Sequence, residues 1–304
     1  MKKILILAVF LVSLMPSRAQ NEVINMALAV PRQQMTANAA VLRVLKSKLS
    51  AALAAGGCAQ TDYGGIVISP MTTVSGKQMI EGGMRTISVY DVNLTVSVSN
   101  IISGTGFNTM SMDLRGEGYS EREALMSAIN KMSNNDARLV KFFLETRRKI
   151  VDYYTGNRKS IMTQAKTLAN MQQYDEALAL LSSYPMNISG YDEVANAMTD
   201  IYDMYMRDVC SQLLQQANGA FAAGNYEEAI ASLNVIDMQS PCAGDVRTLT
   251  EKIKREVDAE KRQAIELYLQ EMRTAADIQK RRVKAIENIA VAYYQNQPDF
   301  YFVF

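Results

Sequence analysis

Hydrophobic and polar positions change rhythm once along the chain. From Asn21 to about Tyr119 apolar residues tend to alternate with polar ones in segments rich in Val, Ile, Thr, Ser and Gly. From Ser120 onward they recur every three or four residues on a background of Ala, Leu, Met, Glu, Gln, Lys and Arg. A two-residue period belongs to a half-buried strand and a 3.6-residue period to an amphipathic helix, so the first part reads as mixed α and β and the second as helical. Val23 to Val30 forms a short apolar strand stopped by Pro31, which has no amide to donate within a sheet. Between Thr36 and Ala55 the apolar residues Ala40, Val41, Val44, Leu45, Leu49 and Leu53 keep helical spacing, and Gly56-Gly57 ends that helix.

Three strands are predicted next. Gly65–Val74 contains Pro70, which points to an edge position or a bulge; Met84–Ile102 alternates at Ile87 and Val89, then at Val92, Leu94, Val96 and Val98; Phe107–Tyr119 alternates at Met110, Met112 and Leu114. Gly82-Gly83 and Gly104-Thr105-Gly106 separate them as hairpin turns. The pattern describes an antiparallel meander with one wet face. Its dry face needs cover from the Thr36–Ala55 helix and from a helix over Ser120–Met132, whose start is marked by the capping box Ser120/Glu123. The predicted fold class is α+β: an N-terminal antiparallel sheet with two covering helices over residues 20–135, then an all-α region with a long C-terminal helix.

The order strand, helix, three long strands with glycine turns, then Gly118-Tyr119-Ser120-Glu121-Arg122-Glu123-Ala124 opening a helix resembles a small α/β domain of bacterial envelope proteins. That domain is shared by the N-terminal part of TolB, the curli-secretion lipoprotein and the lipoprotein activators of penicillin-binding proteins. The resemblance implies an assembly or docking module rather than a catalyst. A clear final strand directly after the second helix is missing from this chain.

Within residues 136–243 a pattern repeats. Ala165, Leu168, Tyr174, Asp175, Glu176, Ala177 and Leu181 recur as Ala217, Ala220, Tyr226, Glu227, Glu228, Ala229 and Leu233, an offset of 226 − 174 = 52 at each position. Small residues where helices cross allow close approach, and a tyrosine at the turn fills the gap. The pattern resembles a tetratricopeptide repeat, with Ala165, Tyr174, Ala177, Ala217, Tyr226 and Ala229 as its packing residues and Pro185 and Pro241 closing the units. That family has a period of about 34, so here a helix must be longer. Tyr191–Ala223 is Pro-free and Gly-free until Gly219, and as one helix would span about 50 Å. Two units are fewer than a free-standing solenoid needs, so they should lean on the α/β part or on the C-terminal helix.

From Gly244 to about Gln295 there is no Pro or further Gly, and apolar residues at three-to-four spacing predict one or two long amphipathic helices over 244–297 that can pair in a coiled coil or lie along the hairpins. Lys280-Arg281-Arg282 with Lys284 is the densest basic cluster. It reads either as a solvated helix face flanked by Asp277 and Glu287 or as a contact with phospholipid or another acidic surface. The tail, residues 298–304, holds Phe300, Tyr301, Phe302, Val303 and Phe304, a candidate docking strand for a sheet edge in this chain or in a neighbour.

Composition narrows the chemistry. The chain has 304 residues, 48% hydrophobic and 21% charged, with no His, no Trp and three Cys. Lacking imidazole removes the usual metal ligand and the usual general base at neutral pH, and no cofactor or metal is expected. Lys2 and Lys3, an apolar run over Ile4–Met15, Pro16 and the small residues Ser17 and Ala19 form an export leader with cleavage after Ala19. The Ala-Gln ending resembles exported proteins of Bacteroidetes, and no later apolar run reaches membrane-span length. The leader takes three cations from the 32, so 29 basic residues face 31 acidic ones and the balance moves from +1 to −2. If the second hairpin turns at Gly224, Cys210 and Cys242 stand at similar heights on antiparallel helices and form a disulfide candidate in an oxidising compartment. Cys58 then remains as a buried or lone thiol.

Two functions stay open. One is a non-catalytic exported scaffold or adaptor, periplasmic or attached at the outer membrane, peripheral to a membrane or free of it, binding other envelope proteins and no nucleic acid, with self-association through the C-terminal helix as an option. The other is an envelope hydrolase or lipid-handling protein using carboxylates of the α/β part. Two converging Asp/Glu side chains in a cleft there would favour the second.

Overall fold

The protein is described by a computed structural model covering residues 23–32, 39–82, 85–271 and 275–303. Residues 1–22, with the expected leader, residues 33–38, with the expected helix start at Thr36, Gly83-Met84, the segment 272–274 and Phe304 lie outside the described residues. Chain order is β1 (Ile24–Pro31), α1 (Ala39–Ala55), β2 (Cys58–Thr61), β3 (Ile66–Gly82), β4 (Arg85–Asn100), β5 (Gly106–Gly118), then α2 (Glu121–Asn130), α3 (Ala137–Asn170), α4 (Tyr174–Ser182), α5 (Tyr191–Ala222), α6 (Tyr226–Val235), α7 (Ala243–Glu256), α8 (Ala259–Glu271), α9 (Ala275–Gln295) and β6 (Phe300–Phe302). The chain is α+β.

The sheet has the order β2-β1-β3-β4-β5, with β6 added on β1. The antiparallel expectation holds for the β3-β4-β5 meander, but β1 runs parallel to both β2 and β3, so the sheet is mixed. The reason is the β1-α1-β2 unit. A helix returns the chain to the starting end, and a strand formed after such a crossover lies parallel to the first. Residues 62–65 then carry the chain from β2 on one side of β1 to β3 on the other. Pro70 lies two residues beyond the last β1–β3 pair, at Ile68, where β3 has become an edge, and a register shift follows at Val74/Gly76.

Every second residue of β4, from Val92 to Val98, is buried, while Asn93, Thr95, Ser97 and Ser99 lie half-buried on the opposite face. The buried face meets α1, α2 and the first half of α3 in one core. Ser120 caps α2 by accepting from the Glu123 amide at 3.3 Å, and Glu123 returns a carboxylate oxygen to the Tyr119 amide at 2.9 Å. β1 is covered on both sides. Ile24, Met26, Leu28 and Val30 enter that same core, whereas Ala27 and Ala29 are small enough for Ala179 of α4 and Ala290 and Tyr294 of α9 to pack against the reverse face. α3 links the layers: Phe143, Ile150 and Tyr154 belong to its sheet half, and Ile161, Ala165 and Ala169 belong to the half alongside α4.

A second core lies farther out along α5. There Ala217, Ala220, Ala229 and Leu233 pack with Val246, Leu249 and Ile253 of α7 and Ile265 of α8. The expected one or two C-terminal helices are three among the described residues. α7 ends where Val257 turns extended at ψ 159°, and the Asp258 carboxylate accepts from the Lys261 amide at 2.9 Å to start α8. An aspartate cap ends a run without help from Gly or Pro.

Candidate functional site: a cleft at the junction of sheet and helices

The chemistry-bearing residues converge where the two layers meet. Asn100 ends β4, Tyr154 sits mid-way along α3 and Ser183 caps α4; all three are buried. The Asn100 amide donates to the Tyr154 hydroxyl at 2.8 Å and to Ser183 Oγ at 3.0 Å. Tyr154 donates to Ser183 Oγ at 3.1 Å, and Ser183 donates to the Leu180 carbonyl at 2.6 Å. The Asn100 side-chain oxygen Oδ1 accepts from the Ile102 and Ser103 amides, shaping the turn before Gly104. Ser183 Oγ thus accepts twice and donates once, leaving no lone pair for attack on a substrate. Burial holds the Tyr154 phenol far above its ordinary pKa, so it stays protonated. This cluster joins β4, α3 and α4, and its bonds are used up in doing so.

Beside it opens a cleft of about 600 Å³. Its walls are the start of β1 with Val23 and Asn25, the 61–65 connection, the end of α4 with Ser183 to Asn187, the first two turns of α5 and one face of α9 from Gln279 to Tyr294. Gly65 lets this connection approach the helices: a Cβ there would lie 2.5 Å from Ser183 Cβ and 3.4 Å from the Tyr294 hydroxyl. Four tyrosines line the space, Tyr63, Tyr184, Tyr191 and Tyr294, together with Met186, Met198, Val283 and Ile286. Tyr184 donates to the Ser189 carbonyl and Tyr294 to the Ala179 carbonyl, each at 2.7 Å, so their hydroxyls are engaged and their rings form wall. Burial keeps Tyr294 protonated as well. The rim exposes apolar side chains, Met186 being 61% and Val283 56% exposed.

The acidic residues of the wall are Asp62 and Glu287. Both are exposed, and Glu287 pairs with Lys284 at 2.9 Å. They are rim charges in water, and no buried acid–base pair faces the cleft among the described residues. Nor, among these residues, do three or more His, Cys, Asp or Glu side chains gather to hold a metal.

The residues singled out from the sequence sit around this junction or beyond it. Ala165 and Ala177 are fully buried where α3 meets α4, and Ala217 and Ala229 where α5 meets α6. Tyr174 hydrogen-bonds Asp208 and stacks edge-on against Tyr205 at 5.8 Å, reaching across to α5, while Tyr226 stays within its own hairpin beside Phe221 at 5.9 Å. Cys210 of α5 and Cys242, the residue before α7, are joined with their Cα atoms 6.0 Å apart. Cys58 is a buried free thiol whose pKa burial pushes up to about 11. Phe300, Tyr301 and Phe302 pair antiparallel with Pro31, Val30 and Ala29 of the same chain, and the Val303 amide donates to the Leu28 carbonyl at 2.9 Å; Phe304 lies outside the described residues. Phe302 packs edge-on against Tyr63 of the cleft wall at 5.3 Å.

For Arg282 the structure corrects the reading of a solvated face. It is 6% exposed, donates to Gln239 at 2.6 Å, pairs with Asp203 and with Asp237 at 2.9 Å, and lies over the Tyr202 ring at 5.5 Å. One side chain of α9 thereby ties α5 to the α6–α7 connection. Its neighbours Lys280, Arg281 and Lys284 remain exposed.

Among the described residues no helix is long and apolar enough to cross a membrane. No family model matches the chain, and no curated protein does. Among solved structures, a minor lipoprotein from Acinetobacter baumannii aligns with 44% of this chain and 94% of its own, at 14% identity and a TM-score of 0.22, too slight a likeness to carry a statement about this protein.

Proposed function

We propose that the chain is an exported, non-catalytic adaptor of the bacterial envelope that holds a partner protein in the junction cleft. One observation carries this reading: the cleft presents tyrosine rings, methionines and exposed apolar side chains at its rim, while the hydroxyls of Ser183, Tyr184 and Tyr294 are engaged in internal hydrogen bonds. A wall of that kind offers burial and shape rather than a nucleophile. The export leader expected from the sequence and the resemblance of residues 20–135 to envelope docking domains support the location. The helical hairpins, similar in pattern to tetratricopeptide repeats, support binding as the type of work.

Ala195 is half-buried and lines the cleft, so Ala195→Phe fills the space without removing a core side chain. Envelope proteins that copurify with the wild-type chain, quantified by mass spectrometry, should be depleted with Ala195→Phe, whereas the circular dichroism spectrum should not change. A partner set untouched by this substitution would remove the cleft from the function.

A further inference from the structure

The cleft also carries information about what it accepts. We propose that it takes an extended peptide segment in which a lysine or arginine stands beside an aromatic or aliphatic residue. This rests on the docking reading above and adds the chemistry of the bound segment.

The first argument is charge. The two side chains of the wall that are charged at neutral pH are the carboxylates Asp62 and Glu287, and no Lys or Arg lines the space among the described residues. A phosphate, sulfate or carboxylate on a ligand would meet like charge at both of these places, where a cation would meet opposite charge. The Glu287–Lys284 bond is an exposed pair three residues apart on a helix. Such pairs contribute a few tenths of a kcal/mol, so Glu287 can exchange Lys284 for an incoming cation at little cost.

The second argument is surface chemistry. Ring faces and thioether groups accommodate the stem of a lysine or arginine and attract its charged head. With Met186 and Val283 mostly exposed at the rim, an apolar neighbour in the ligand covers area that a bare amine leaves wet. Third, the Asn25, Asn187 and Gln279 side chains border the cleft without hydrogen bonds to the described residues. They are placed to exchange bonds with a peptide main chain. A space of about 600 Å³ is within the range that holds a few side chains.

The test is calorimetric titration of the leader-free protein with acetyl-Phe-Lys-Phe-Ala-amide and with its Glu counterpart, and with putrescine as a bare diamine. The lysine peptide should bind at least about tenfold tighter than the glutamate peptide. That preference should shrink at high salt and disappear in the Asp62→Asn/Glu287→Gln double variant, whose two substituted side chains are exposed and whose circular dichroism spectrum should match wild type. Equal affinities, a preference for glutamate, a preference surviving in the double variant, or putrescine matching the lysine peptide would each overturn the assignment. If neither peptide binds while Ala195→Phe still sheds the envelope partners, the ligand class fails and the docking reading stands; if Ala195→Phe sheds nothing, the docking reading itself has failed.

Discussion

Gln172 and Gly224 occupy equivalent places in the two hairpins, 224 − 172 = 52 positions apart, and both have positive φ, 62° and 77°. The bonds around them correspond: the Gln173 amide donates to the Leu168 carbonyl at 3.0 Å and the Asn225 amide to the Ala220 carbonyl at 2.9 Å. One turn uses glycine and the other strains a residue with a side chain, which costs of order 1 kcal/mol. Gln172→Gly should therefore raise stability by about 0.5–1 kcal/mol in chemical denaturation, and a destabilised variant would contradict the duplicated turn. Cys58 gives a prediction of opposite kind. Its thiol is held at about 11 against an ordinary 9.0, chiefly by burial. The unfolded chain loses this proton first, so stability is intact below pH 9 and falls as pH rises toward 11, by about 2–3 kcal/mol. Wild type should show this loss relative to Cys58→Ala in parallel unfolding titrations; equal slopes would place the thiol in water. The residue scale was partly legible. Cys210 and Cys242 are joined as expected, but Cys242 stands in the α6–α7 connection and not on a helix antiparallel to α5, and burial of Arg282 was not legible because Asp203 and Asp237 lie far from it in sequence.

At the scale of elements, the long periodic segments announced themselves and the short or unmarked ones did not. α5 follows its glycine-poor run closely, and the capping box marks α2. β2 has four residues with no alternation to read, and the α7–α8 break has neither Gly nor Pro. β6 was recognisable as a docking strand, though its target edge was not, since β1 reads as an ordinary strand until both of its sides are seen to be occupied. The Cys210–Cys242 bond closes a loop with a sequence separation of 32 around α6. In the chain-entropy account, removing it costs about 3–4 kcal/mol. Because α5's outer half, α6, α7 and α8 share their own core, Cys210→Ser/Cys242→Ser should lower protection from amide exchange there while β3–β5 stay protected. Uniform loss across the sheet would show the two cores to be one cooperative unit.

For the whole molecule, the cleft is built from segments near residues 24, 63, 185, 195 and 287, too scattered for any motif to announce. It exists because β1 sits between two helical layers, because the 61–65 connection must pass from one side of β1 to the other, and because Asn100, Tyr154 and Ser183 hold those layers together. The most direct measurement is photo-cross-linking in intact envelopes, with a photoreactive amino acid replacing Met186 at the cleft rim, Leu144 on α3, or Met79 at the β3–β4 hairpin, all three exposed. The account predicts a discrete protein adduct from position 186, lost when Ala195→Phe is added, and none of that adduct from 144 or 79. The same adduct from either control position, or none from 186, would contradict it.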